Sequence, residues 1–418
     1  MSAPAATEGP PLRRNRDFNL LWVGQVASEL GANVSAIAFP LLVLATTGSP
    51  GRAGIVAAAG TLPDLVLAVP AGALVDRWDQ KRVMIVADCV CAAAFGSLGL
   101  AVALGAVTFG HIVAVALVEG VGFVLFGVAE GSALPKVVAD RHLAAALARN
   151  SARAHTAALA GQPLGGVLFG LGRAVPFVFD AVSYLMSMVT VSLIRTSFRR
   201  DPVPERPRLR SDMRAGLSWY WGQSFLRSTS LISMTRSFTL NALYLVVIVI
   251  ARERGASAAL IGLIFAFVGV GGLLGSLAAP WLARRASTRT VIVATAVVGA
   301  VLVPLLSILP GRATPGVVFG AMWILNPLWS TVVGAYRLRI TPPELRARVL
   351  SIASLVSSAP VPLALVAAGL LLEAAGTTPT VLVFSGIMLV GATIAIGSRA
   401  VRDAPDRHSS LAGQAETV

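Results

Sequence analysis

Twelve predominantly apolar stretches, each long enough to cross a bilayer as a helix, occupy most of this 418-residue chain. They run roughly over 18–46, 54–75, 83–105, 110–133, 144–171 and 175–194, and then over 229–250, 257–283, 290–309, 314–338, 349–372 and 378–397. In hydrocarbon every backbone N–H and C=O must be satisfied inside the structure, which leaves only helices and closed barrels. Runs of about 20 residues are twice what a barrel strand needs. The predicted fold is therefore all-α and polytopic, with 12 transmembrane helices in two six-helix halves. Charged residues make up 13% of the chain, about half the ~25% of soluble domains, which excludes most soluble enzymes. The first run exceeds the 7 to 15 apolar residues of a signal peptide and has no clear A-x-A-like end, so it reads as the first spanning helix.

A net charge of +14 invites a nucleic-acid partner until the cations are placed. With the N-terminus inside and the spans alternating, 27 of the 34 basic residues fall on the inner side, Arg149 and Arg153 among them. Only Arg52, Arg173, Arg252, Arg254 and Arg312 fall outside, with Arg227 and Arg236 left uncounted in or near the seventh span. This asymmetry predicts a multi-pass plasma-membrane protein with both termini cytoplasmic. It also explains the basic composition without nucleic acid. Cys89 and Cys91 lie two apart in one helical run and point away from each other, so neither a disulfide nor a CxxC metal site is available.

The predicted organisation is a tail (1–16), a six-helix half (17–195), a cytoplasmic linker (196–228), a second half (229–398) and a tail (399–418). The region 195–214 carries seven arginines with Pro202, Pro204 and Pro207. After it, Met213, Leu217, Tyr220, Trp221 and Phe225 recur at helical spacing, which predicts an amphipathic helix in the membrane interface. The halves echo each other. Asp140-Arg-His-Leu143 after the fourth span corresponds to Thr341-Pro-Pro-Glu-Leu345 after the tenth, and each offers an N-cap for a short helix, with Thr341, Pro342 and Glu344 as a capping box. Gly72–Arg77 has a degraded counterpart in Gly275–Pro280. Two six-helix repeats around a midplane cavity are a transporter plan.

Gly72, Leu74, Asp76, Arg77, Lys81 and Met84 resemble the cytoplasmic loop motif of the major facilitator superfamily, Gly-x-Leu-x-Asp-Arg-x-Gly-Arg-Lys, with Asp79 at its second glycine and Gln80 at its arginine. The wording Asp76-Arg-Trp-Asp79 is similar to the branch of macrolide-efflux and enterobactin-exporter-like drug:proton antiporters. So are Asn15–Trp22, Pro40-Leu-Leu, Thr47-Gly-Ser49 and Phe179-Asp180-Ala-Val-Ser. The resemblance implies that Gly72, Asp76, Arg77, Lys81 and Arg82 form a cytoplasmic gate latching the two halves when the cavity faces outward. On physical grounds Gly72 permits close helix approach, Asp76 accepts from a helix N-terminus, and the cations hold the turn. Gly161-Gln-Pro-Leu-Gly-Gly166 resembles the exporters' Gly-Pro-x-x-Gly-Gly stretch, with Pro163 one place late. Gly161, Pro163, Gly165 and Gly166 are thus expected to pack and bend the fifth span.

An intramembrane carboxylate is costly and signals function. Glu29, Asp64 and Glu119 fall at similar depth in spans one, two and four and are candidates for proton exchange, with Arg236, Asn33, Asn241 and Asn326 as partner and substrate candidates. Asp180 reads as structural, Glu130 and Asp88 as bridges to loop arginines, and His155 as packing. Trp22, Phe39, Phe123, Phe126, Tyr244, Trp323 and Trp329 could wall a cavity for an amphiphilic cation or macrocycle. The predicted function is secondary active export of a small amphiphilic molecule, such as an antibiotic, siderophore or other specialised metabolite, by alternating access and proton antiport. The expected partners are the substrate, the lipid bilayer and protons, acting on a monomer with no cofactor and no metal. No Walker motif is present. The alternatives are a proton-coupled uptake symporter or facilitator and, from another class, a polytopic membrane enzyme, which the four scattered histidines disfavour.

Overall fold

The computed structural model describes residues 10–67, 70–75, 77–198 and 209–403, and every regular element among them is helical. The α-helices are α1 (Arg16–Thr47), α2 (Pro50–Leu67), α3 (Pro70–Val75), α4 (Gln80–Ala103), α5 (Phe109–Val137), α6 (Asp140–Leu171), α7 (Val175–Ser192), α8 (Leu209–Gly222), α9 (Ser224–Glu253), α10 (Ala258–Arg285), α11 (Thr288–Ile308), α12 (Thr314–Ile340), α13 (Arg346–Ser358), α14 (Val361–Ala375), α15 (Thr377–Gly397) and α16 (Arg399–Arg402). Among the described residues, ten helices are long and apolar enough to cross a membrane, with α13 and α14 taken together as one of them. Pro360 and Pro362 divide that span by removing two N–H donors. The second expected span is α2 followed by α3, on either side of residues 68–69, which lie outside the described residues. The fifth is α6, 32 residues long, whose first half carries Asp140, Arg141, Arg149 and Arg153.

The helices end where local chemistry dictates. Asp79, in the place of the motif's glycine, is the N-cap of α4 and accepts from the backbone N–H of Lys81 at 2.9 Å. Ser257 and Ser287 cap α10 and α11 in the same way. At Gly105 and Gly255 the chain turns with φ of 69° and 76°, and the next N–H closes back onto Ala101 and Ala251 respectively, a glycine stop that a side chain would strain. Removing the Asp79 carboxylate by Asp79→Ala should cost about 1 kcal/mol, read as a lowered Tm of the purified protein in detergent.

The described residues cluster into two units, one from Pro10 to Thr46 and from Ala59 to Phe198, the other from Thr47 to Ala58 together with Leu209 to Asp403. In the first unit α4 packs on α7 and α5, while α1 lies against α6 and α7. Asn15 and Asp17 fasten its base. The Asn15 side-chain amide donates to the Val137 carbonyl at 2.7 Å, and Asp17 accepts from the backbone N–H and hydroxyl of Thr196 at 2.9 and 2.6 Å. In the second unit α11 packs on α15, α9 on α14 and α15, and α10 on α12. The pairing of α4 with α7 thus recurs as α11 with α15, third helix on sixth in each set of six.

The α10–α12 contact is set by small residues, as expected where lipid is as apolar as a side chain and only close packing favours association. Gly271 and Gly275 on α10 face Gly320 and Ile324 on α12, and a Cβ built on Gly320 would lie 2.6 Å from the Phe267 carbonyl oxygen. The first turns of α2 join the second unit by the same device. Gly54 abuts Gly369 of α14, and Glu373 accepts from the Ser49 hydroxyl at 2.6 Å and the Gly51 N–H at 2.9 Å.

Four local expectations are corrected. Thr341 forms no capping box: its hydroxyl donates back to the Arg337 carbonyl at 2.7 Å and closes α12, while α13 starts from Leu345 without a side-chain cap. Asp140 opens no short helix; it sits in the first turn of the continuous α6, which Ala139 precedes without a side-chain cap. Gly72 makes no close approach among the described residues, where a Cβ meets nothing within 4 Å. The amphipathic segment does form a helix separate from α9, but Tyr220 is fully buried in the second unit and bonded to the Ser230 hydroxyl at 2.7 Å. Only Leu217 and Trp221 of its named apolar residues are described as exposed.

Candidate functional site

The first unit holds a buried ion cluster on three helices. Gly161 of α6 lies against Leu30 and Asn33 of α1, and Gly165 against Val34, where Cβ atoms would come within 2.5 Å of Asn33 Cβ and of the Val34 carbonyl oxygen. This backbone approach brings the N-terminal part of α6 alongside α1. Arg149 there covers the rings of Phe18 and Trp22, and one turn later Arg153 turns inward. Its guanidinium forks onto Glu29 of α1, with Nε to Oε2 at 3.1 Å and Nη2 to Oε1 at 2.9 Å. On its other edge Nη1 donates to Oε1 of Glu130 on α5 at 3.1 Å. Arg153 is 5% exposed, Glu29 23% and Glu130 14%. Two-edged use of a planar guanidinium is a geometry that lysine cannot copy.

Glu29 and Glu130 open onto a cavity of about 170 Å³ that Gln25, Asn33, Asp88, Phe123 and Phe126 also line. The Asn33 amide is turned onto the Glu29 carbonyl at 2.8 Å. Asp88 is 2% exposed and bonded to Ser187, while its Oδ2 has no hydrogen-bond partner among the described residues. Beside this cluster lies a second acidic group. Asp180 of α7 is fully buried and accepts from Ser35 at 2.5 Å and Ser183 at 2.9 Å, and Glu119 of α5 stands within electrostatic range of it. Paired hydroxyl donors joining α1 to α7 are what a structural Asp180 requires.

Several expected sites fall out differently. Arg153, which sequence position places with the inner loop cations, is the buried partner of Glu29 and Glu130. Removing it from that group leaves the charge asymmetry intact. Glu130 therefore bridges to an intrahelical arginine, and Asp88 to a serine, neither to a loop. Asp64 is exposed on α2 and does not join Glu29. His155 is exposed rather than packed. The signal available in the sequence is that Arg153 falls inside the span predicted over 144–171 and not in the loop before it.

Of the loop motif, Asp76 lies outside the described residues. Arg77 is exposed in the turn after α3 and Arg82 is exposed on α4. Lys81 instead reaches the open end of α7, donating to the Ser192 and Ile194 carbonyls at 2.8 and 2.7 Å, which is favourable charge placement at a helix C-terminus. In the packing motif Gly161 and Gly165 make the α1 contact, Gly166 is buried, and Pro163 lies within an uninterrupted α6.

In the second unit Arg236, Asn241 and Asn326 line one cavity of about 310 Å³ together with Trp323, Trp329 and Arg337. Arg236 is 4% exposed, donates to Asn326 Oδ1 at 3.2 Å and lies 4.9 Å from the Trp329 ring centre. The Asn241 amide bonds the Ser237 carbonyl at 2.9 Å. Among the other aromatic candidates, Phe39 packs with Phe95 and Phe177 and Tyr244 with Phe265; neither lines the cavities just described.

Helices long and apolar enough to span a membrane, enclosing polar cavities lined by buried charges, fit a membrane transporter. Residues 6–415 match the family of transmembrane secretion effectors, and the chain belongs to that family, within the major facilitator superfamily. It is 28% identical over 395 residues to the multidrug efflux pump Tap of Mycolicibacterium fortuitum, covering 90% of this chain and 94% of that one. It is likewise 28% identical over 413 residues to Tap of Mycobacterium tuberculosis, covering 93% and 95%. Macrolide efflux protein A of Streptococcus pyogenes matches at 22% over 203 residues, 48% of this chain and 50% of that one. Among solved structures, the fold is shared with the nucleoside transporter NupG (TM-score 0.73, 11% identity, 91% of this chain and 98% of that one). It is also shared with an inward-facing bacterial homologue of the iron transporter ferroportin (TM-score 0.74, 14% identity, 93% and 99%).

Proposed function

We propose that this chain exports small amphiphilic molecules across the plasma membrane by alternating access coupled to proton antiport, with Glu29, Glu130 and Arg153 as the coupling centre. The observation that carries this reading is the single guanidinium shared by two carboxylates at the edge of a cavity. With all three groups ionised the cluster holds one net negative charge, and in a poorly solvated site one proton, or one cationic substrate group, brings it to neutrality. A proton on either carboxylate weakens one edge of the fork, so proton and substrate compete for the same oxygens. Asp88, whose second oxygen is unpartnered, is a further station in the same cavity. Export as the direction is supported by the efflux relatives, and cytoplasmic termini by the partition of cations, 26 to 5 once Arg153 is left out.

Retention of ethidium in cells expressing the chain, against cells without it, tests the reading. Expression should lower retention, an uncoupler should abolish the difference, and Glu29→Gln or Glu130→Gln should reduce uncoupler-sensitive export about tenfold, equivalent to about 1.4 kcal/mol. Raised accumulation on expression would make the chain an uptake carrier. Wild-type export and pH dependence in both carboxamide variants would remove Glu29 and Glu130 from coupling.

A further inference from the structure

Two buried arginines in this protein meet opposite fates. Arg153 is met by two carboxylates, four hydrogen-bond contacts in all. Arg236, similarly buried, has one neutral amide oxygen, Asn326 Oδ1, and the face of Trp329; among the described residues it makes no ion pair. A guanidinium has five donors, and leaving a buried charge uncompensated is strongly unfavourable. The cavity it lines compounds the imbalance. Its lining includes a second cation, Arg337, and no acidic residue among those described. Two further donors on its lining residues, Trp323 Nε1 and Arg337 Nε, are buried without an acceptor. Buried donors without partners and no anion among the described lining residues, at one place, describe a site whose complement comes from outside the protein.

From this we infer that the second unit's cavity is a subsite for an organic anion, a carboxylate or similarly planar oxyanion carried on a flat apolar body. The inference rests on the reading of the chain as a carrier of amphiphiles and adds acids and zwitterions to the cationic substrates that the Glu29–Glu130 cluster can accept. Arg236 supplies the charge. Trp329 occupies one face of its guanidinium and leaves the N–H edge for a bidentate contact, the geometry at which arginine exceeds lysine. The Trp323 indole N–H and the Arg337 Nε add neutral and charged donors, and the two indoles offer surface to a ring. Asn326 holds the Arg236 side chain, a positioning role. The volume of about 310 Å³ suits a one- or two-ring body and lies at the lower end of small-molecule sites. The amphiphilic cation that the aromatic residues first suggested has no counter-charge here.

Three probes of one shape separate charge from hydrophobicity: 1-naphthoate, 1-naphthamide and 1-naphthylmethylammonium, titrated by calorimetry into the purified full-length protein in chloride-free buffer. Naphthoate should bind about tenfold more tightly than naphthamide, about 1.4 kcal/mol, and the ammonium more weakly than either. Arg236→Gln should erase the preference, Arg337→Gln reduce it, and Arg236→Lys retain part of it. The lysine and Arg337 variants carry the test if Arg236→Gln elutes as misfolded protein. Equal affinity for the three probes, binding of none, or a preference that survives Arg236→Gln in folded protein overturns the subsite. These outcomes are independent of the ethidium assay: lost acid preference with uncoupler-sensitive export intact removes the subsite alone, and preserved preference without export removes the exporter reading alone.

Discussion

Replacing Arg153 by methionine should destabilise the protein by about 3–5 kcal/mol, because it leaves Glu29 and Glu130 facing each other without the charge that holds them. The change should appear as a large fall in Tm in detergent and as loss of uncoupler-sensitive export. Arg153→Lys keeps the charge but cannot fork onto two carboxylates at once, so it should be intermediate in both measurements. A triple variant, Arg153→Met with Glu29→Gln and Glu130→Gln, separates stability from function. With no unpaired charge left it should regain most of the Tm, since removing all partners of a buried ionic group is often close to neutral, yet it should not transport. If Arg153→Met alone were as stable and active as the wild type, the cluster would be neither structural brace nor coupling centre.

The second large effect is expected at the α10–α12 contact. Gly320→Val places a side chain where the Phe267 carbonyl oxygen is 2.6 Å and its carbon 2.9 Å from the new Cβ. The obstacle is backbone, which cannot swing aside as a side chain can, so the helices must separate. A cost of about 3 kcal/mol is expected, at the upper end of overpacking penalties, read as a Tm shift. Gly272 is the control. It lies beside Gly271 on α10, but a Cβ there meets nothing within 4 Å, and Gly272→Ala should be neutral or mildly stabilising through helix propensity. Equal losses at the two glycines would mean that helix propensity, not interhelical packing, sets the stability of this pair.

The spacing Gly271–Gly275 and Gly316–Gly320 was in the sequence and matches the small-xxx-small pattern of membrane helix pairs. Pattern alone could not say that these two segments face each other, since other glycines of the chain, such as Gly127 and Gly131, show the same spacing and meet nothing. The ion cluster divides similarly. Glu29 was legible as a costly intramembrane charge, whereas its partner was hidden. A long helix that begins polar and ends apolar, as α6 does, carries arginines that obey the inside bias and arginines that point inward, and only rotation about the helix axis tells Arg149 from Arg153. Asp64 shows the same limit: its depth along α2 is readable from the sequence, but only the structure shows that the face it occupies is exposed.

Where the sequence sufficed, the physics was one-dimensional. Hydrophobic length against bilayer thickness followed from residues adjacent in the chain, and the helix boundaries lie within a few residues of the apolar runs. The loop motif led to the major facilitator superfamily by residue wording alone. What only the tertiary structure decided was which buried charges meet. A guanidinium reaches across helices over a few ångströms, so the choice between a loop cation and the centre of a three-helix ion cluster depends on the glycines that let α6 approach α1. Pairing energy in low dielectric depends on distance and orientation, neither of which is encoded in the order of residues along the chain.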